Sequence, residues 1–182
     1  MAALAAAPAL GADEFRELEA AVALPLRDLA LPWAAVRFRA FCPLPAPPPG
    51  APPHRLLRGI AIRLPATKDA PPRIEALCLT CPHETCEVDL RSDTANVRLD
   101  EDAETSGDGE PGDRAVLPDH PVFVCSCHFS VFDPVREGER LAGPAPRGLY
   151  RFHSRVEADR LAIFEVEAAA LRAPSSAPKS SN

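Results

Sequence analysis

The chain lacks any apolar run approaching the ~20 residues that a transmembrane helix needs. It is poor in aromatics, with one tryptophan, one tyrosine and eight phenylalanines among 182 residues. A basic excess is missing too: the net charge is −6, which argues against nucleic acid or an anionic membrane surface as the main partner. There is no internal repeat and no phosphate-binding glycine loop. The opening MAALAAAPALGA is apolar but short and carries no basic n-region, so it reads as a poor signal peptide. The plain expectation for it is a disordered alanine-rich tail. The sharper one is the end of an export or anchor segment that starts upstream.

What is present points to one domain rich in loops. Proline is abundant, at 22 residues, and apolar content is ordinary, which favours a β domain over a helical bundle. Residues 13–31, DEFRELEAAVALPLRDLAL, start acidic and space Phe15, Leu18 and Val22 loosely as on a helix face, so a short helix is expected before Pro25. VRFRAF (36–41) alternates apolar and basic residues and reads as a strand. PLPAPPPGAPP (43–53) is too proline-dense for a central strand or a helix and reads as a stiff linker or surface loop. GIAIRLP (59–65), RIEALCLT (73–80) and PVFVCS (121–126) are further strand candidates. LYRFHSRVE, a turn at Ala158–Asp159, and RLAIFEVE form an expected closing hairpin. From Asp93 to Asp119 the chain turns acidic and glycine-bearing, the composition of a solvated insertion. The expected architecture is all-β, a small antiparallel sandwich of six to eight short strands with decorated loops and flexible termini.

Four of the six cysteines and two of the five histidines fall in two short boxes, CPHETC (81–86) and CSCHFS (125–130). Cys81 and His83 stand two positions apart, and Cys125 and His128 three apart. Two stiff loops of this kind, each giving one sulfur and one imidazole, can close around a metal. A Cys₂His₂ zinc site is the first candidate from composition, but each loop mixes the two ligand types and carries an extra cysteine. Cys78, in CLTC (78–81), falls in an apolar strand pattern and reads as a core thiol. Two cysteines with two histidines also suit a Rieske [2Fe–2S] centre, where histidines replace two of the cysteines on one iron.

C-x-H-x-x-C followed by C-x-C-H-x-S resembles the two boxes of Rieske iron–sulfur proteins, in particular those of cytochrome bc-type complexes and of arsenite oxidase small subunits. Gly143-Pro144-Ala145-Pro146 resembles the proline loop that covers the cluster in the bc-type proteins, and RGLYRF…LAIFEVE resembles their closing hairpin. The likeness spans roughly residues 59–167. It implies a Rieske domain over 59–170, with the insertion at 93–119 and a cluster-binding subdomain made by the two loops. Residues 1–58 would then be an extension with a proline-rich linker, and 171–182 a disordered tail. The resemblance implies Cys81 and Cys125 on one iron, His83 and His128 on the other, and a disulfide between Cys86 and Cys127. It also makes Ser130, Phe132 and Pro144 cluster-tuning positions. Ser130 matches a serine that donates to a bridging sulfide and raises the potential, because a donor stabilises the more negative reduced state.

Three positions depart from the family pattern. Phe132 stands where a tyrosine often donates to a cysteine sulfur, so a lower potential is expected, still in the upper half of the class. Glu84 stands where leucine is common, placing a carboxylate beside an exposed ligand histidine; this weighs against docking into an apolar quinol pocket. Phe129 replaces a usual glycine. The stretch 84–124 is also long for the bc-type proteins.

The function implied is an electron-transfer subunit, not catalytic alone, with one [2Fe–2S] cluster per chain. It would pass electrons from a quinol to a c-type cytochrome beside cytochrome b-like membrane subunits, in a respiratory or photosynthetic complex. The alternatives are a subunit of an arsenite-oxidase-like enzyme, a soluble Rieske carrier, or a metal-stabilised interaction module without redox chemistry. The implied disulfide calls for an oxidising compartment, most simply the periplasmic face of a bacterial cytoplasmic membrane. His54, His120 and His153 lie outside the boxes and read as surface or structural residues.

Overall fold

Phe38, Ala40 and Cys42 are buried in β2 (Ala35–Pro43) while Arg37, Arg39 and Phe41 are exposed, the period-two alternation of a half-buried strand. The computed structural model describes residues 14–172, apart from 46, 48, 69, 96 and 98–116. β2 pairs with β3 (His54–Leu64), and β3 with β4 (Arg73–Cys78), giving the sheet order β2-β3-β4. A second sheet has the order β1-β10-β9, from β1 (Phe15–Pro25), β10 (Arg160–Glu167) and β9 (Phe152–Glu157). Every pairing is antiparallel. The two sheets share one core that includes Leu18, Phe38, Cys42, Leu57, Phe152 and Ile163. Phe38 meets Phe152 edge-on across it, with ring centroids 5.0 Å apart.

The third sheet carries the loops of interest. Its order is β5-β6-β7-β8, from β5 (Val88–Arg91), β6 (Val122–Cys125), β7 (Val131–Asp133) and β8 (Glu139–Ala142). A second apolar cluster underlies it, with Leu77, Leu79, Phe123, Phe132 and Leu149 all at or below 2% exposure. Arg37 pairs with Glu87 and Asp89 (2.6 and 2.8 Å), and Arg58 with Glu87 (2.9 Å), joining β2 and β3 to the first loop and β5. Each group is part exposed, so each pair contributes at most about 1 kcal/mol. The apolar contacts hold the sheets together.

The all-β expectation is met, with two corrections. The helix expected within 13–31 is β1 followed by a 3₁₀ turn at Leu26–Leu29. The register of β1 against β10 shifts between Glu17 and Val22. Leu18, Val22 and Leu24 are separated by even steps and form the buried or part-buried side of the strand, so the four-residue spacing of Leu18 and Val22 suits a strand face as well as a helix face. The stretch before residue 59 is no appendage from residue 14 on. It supplies β1, β2 and the first half of β3, and β1 is hydrogen-bonded along β10. The proline-rich segment is the exposed β2–β3 connection, closed by Leu44 N–H donating to Pro53 O at 2.9 Å. MAALAAAPALGA, most of the acidic insertion and residues 173–182 lie outside the described residues. Among the described residues no helix is long and apolar enough to cross a membrane.

Candidate metal centre

Both boxes fold into the same turn. In the first, which follows β4, Thr85 N–H donates to Cys81 O at 3.0 Å and Cys81 N–H donates to Cys86 O at 2.8 Å. In the second, between β6 and β7, Phe129 N–H donates to Cys125 O at 2.8 Å and Cys125 N–H to Ser130 O at 2.9 Å. The fifth residue of each turn has positive φ, 61° at Thr85 and 54° at Phe129. That conformation suits glycine, which explains why a phenylalanine at 129 looks out of place in the sequence. Each turn points its first cysteine inward and carries its histidine to the rim: Cys81 and Cys125 are 1% exposed, and His83 and His128 are half-buried.

Cys86 and Cys127 form a disulfide between the two turns, with Cα atoms 6.6 Å apart. The pairing expected from the sequence is present. Cross-linking over a separation of 41 residues stabilises the fold by about 4 kcal/mol through the unfolded chain's lost freedom.

The four remaining box ligands are unbonded and face one another in pairs. Cys81 and Cys125 are free, buried thiols that belong to the same packed cluster. The interaction between the two thiols pulls Cys125 down to about 6 and, together with burial, holds Cys81 above the usual thiol range. The imidazoles of His83 and His128 stand edge to face with centroids 4.7 Å apart. The Nδ1 atom of each is buried with no hydrogen-bond partner. Leaving such an atom unpaired costs about 1–3 kcal/mol, and two side by side point to a shared ligand.

Among the described residues, potential ligand atoms within one ion's reach fall into two separate sets. One holds Cys86, Cys125 and Cys127; the other holds His83, Glu84 and His128; each set lies within 4.8 Å. With Cys86 and Cys127 spent on the disulfide, the sulfur side is left with the free thiols of Cys125 and Cys81. The Cys and His groups with the disulfide fit a Rieske-like site.

A third loop packs on the second. Ala145 N–H donates to Ser130 Oγ at 3.1 Å, and Ser130 is fully buried. Since that oxygen accepts from the backbone, its own proton remains to be donated elsewhere. Gly143 has φ +88°, and a Cβ there would lie 2.4 Å from Ser130 Cα, so only glycine allows this approach. Pro144 is exposed on the outer side of the loop. Phe132 is wholly buried among the apolar residues beneath the turns and has no donor to offer.

Glu84 places Oε2 3.7 Å from His128 Nε2, the ring nitrogen opposite the buried one. The outer rim is therefore part carboxylate. The other histidines lie apart from the boxes. His54 meets Phe41 edge-on, His120 stacks on Trp33, and His153 stacks on Phe15 and reaches Glu165 at 2.8 Å. Sequence reasoning missed the matched turns, because nothing in Thr85 or Phe129 announces a positive φ. It also missed the Ala145 amide, whose role depends on folding. Comparison with protein-family models and with curated proteins finds no match for the chain.

Proposed function

We propose that the protein is an electron-transfer iron–sulfur subunit, with Cys81, Cys125, His83 and His128 holding one Rieske [2Fe–2S] cluster. The observation that carries this reading is the pair of buried, unpartnered Nδ1 atoms on histidines whose loops also bring two free thiols together. When bound, the cluster supplies reversible one-electron transfer. The protein's own residues do the rest. Cys86–Cys127 locks the two turns to each other, Ser130 offers a hydroxyl proton from a dry position, and Phe132 keeps water from beneath the centre. His83 and His128 are the part-exposed members of the set and would form the contact with an electron donor or acceptor.

In the primary reading the donor is a quinol, the acceptor a c-type cytochrome, and the neighbours cytochrome b-like membrane subunits at the periplasmic face of a bacterial membrane. The disulfide supports an oxidising compartment. Glu84 favours the second reading, a Rieske subunit of another oxidoreductase or a soluble carrier. A carboxylate 3.7 Å from His128 Nε2 is poorly suited to an apolar quinol pocket.

Purified protein tests the cofactor directly. About two irons and two acid-labile sulfides per chain are expected, and His128→Ala should lose both. Stoichiometric zinc without sulfide would contradict the proposal. Quinol-dependent reduction then separates the readings: a soluble quinol analogue reduces the protein with cytochrome b-like subunits in the first, and leaves it oxidised in the second.

A further inference from the structure

Glu167 ends β10 with its side chain wholly removed from solvent, at 0% exposure. A buried carboxylate is costly unless charge and hydrogen bonds compensate it. Both oxygens here are engaged. Oε1 accepts from Arg151 Nε at 2.7 Å, and Oε2 accepts from Arg147 Nη2. A packed apolar side chain would hold the sheet about as well. What only the carboxylate provides is direction, because it fixes two guanidinium groups.

The two arginines lead to different places. Arg151 also binds Glu137 at 2.8 Å and stands beside Leu77 of β4. Arg147 directly follows Pro146, so it is the C-terminal post of the Gly143–Pro146 loop. Its guanidinium also lies over the buried Tyr150 ring, 4.8 Å from the centroid. Within that loop Ala145 N–H binds Ser130 Oγ, and Gly143 abuts the Ser130 backbone. A continuous path therefore runs from β10 through Arg147 and the loop to the Ser130 hydroxyl.

We propose that Glu167 is a positioning residue that, through Arg147, fixes the Gly143–Pro146 loop and so aims the Ser130 hydroxyl at the metal centre. The Ala145 amide occupies one lone pair of Ser130 Oγ, which limits the directions its proton can take. When the loop loosens, that restraint is lost. The redox consequence rests on the iron–sulfur reading; the mechanical part does not. A weakened donor to the centre destabilises the reduced state, so the potential falls.

The test uses the full chain as purified, with amide hydrogen exchange at Ala145 and the midpoint potential as paired readouts. Arg147→Gln leaves Glu167 paired with Arg151, and Arg151→Gln is the control that touches the same carboxylate outside the loop. Expected for Arg147→Gln is Ala145 exchange faster by about ten- to a hundredfold, with a lower potential. Arg151→Gln should leave both near the parent values, and Arg147→Lys should recover part of each. Unchanged Ala145 exchange in Arg147→Gln overturns the proposal. So does faster exchange with an unmoved potential, or an equal effect from Arg151→Gln. Should Arg147→Gln not fold, Glu167→Gln keeps the shape without the charge and is read the same way. If the parent protein shows no iron–sulfur signal, the cofactor reading fails separately, and the exchange result still decides whether Glu167 holds the loop.

Discussion

Thr85 and Phe129 occupy the same place in two copies of one turn, and neither suits it. A β-branched residue at φ 61° is strained by about 1 kcal/mol or more. Thr85→Asn should raise stability by about 1 kcal/mol, because asparagine tolerates the left-handed conformation. Denaturant midpoints of the metal-free protein measure this, and an unchanged or lower midpoint would show the strain is absent. Ser130 makes a different prediction. Its side chain is small and fully buried, and its oxygen is already held by Ala145 N–H. Ser130→Ala should keep the cofactor and lower the midpoint potential by roughly 60–130 mV, the loss of a hydrogen bond to a charged acceptor for one electron. A potential that does not fall would remove Ser130 from the tuning role. The sequence made Ser130 legible through its box. It left Glu167 and Arg147 unremarked, because an Arg–Glu pair twenty positions apart gives no local signal.

At the scale of elements, stability rests on a staple and on a long first strand. Cys86→Ser or Cys127→Ser should lower stability by about 4 kcal/mol, read from urea unfolding of the metal-free chain. An effect near zero would mean that the two turns are held without the disulfide. Removing residues 1–25 should abolish a cooperative melt, since β1 is paired along β10 and Leu18 and Leu24 enter the core. A truncated chain that melts like the full one would restore the view of this stretch as an appendage. Strands with clean alternation or a sharp turn, such as β2 and the β9–β10 hairpin, were readable from sequence. β1 was not, because Leu18 and Val22 stand four apart, a spacing that one face of a strand and one face of a helix share. β5, β7 and β8 are three or four residues long and give too short a pattern to detect.

At the scale of the whole molecule, a sandwich of two sheets forms a base, and a third sheet presents three loops at one site. The base was legible as a fold class because its strands alternate. The site was legible as chemistry because cysteine and histidine cluster in sequence as they do in space. Their separation into a sulfur side and an imidazole side was not legible, since it depends on how the two turns face each other. That separation supports the two-iron centre proposed above over a single zinc ion. The net charge of the chain is −6, and Glu84 sets a carboxylate on the rim beside His128. Association with a basic redox partner should therefore slow as salt is raised across the Debye range. Stopped-flow rates that ignore ionic strength would exclude such steering.

The most direct measurement is an EPR-monitored redox titration of the purified protein. Expected is a rhombic Rieske signal, about one spin per chain when reduced, with a midpoint above 0 mV inside the class range of about −150 to +300 mV. A midpoint at the bottom of that range would contradict the tuning assigned to Ser130. No signal, with one tightly held zinc per chain instead, would contradict the electron-transfer function itself.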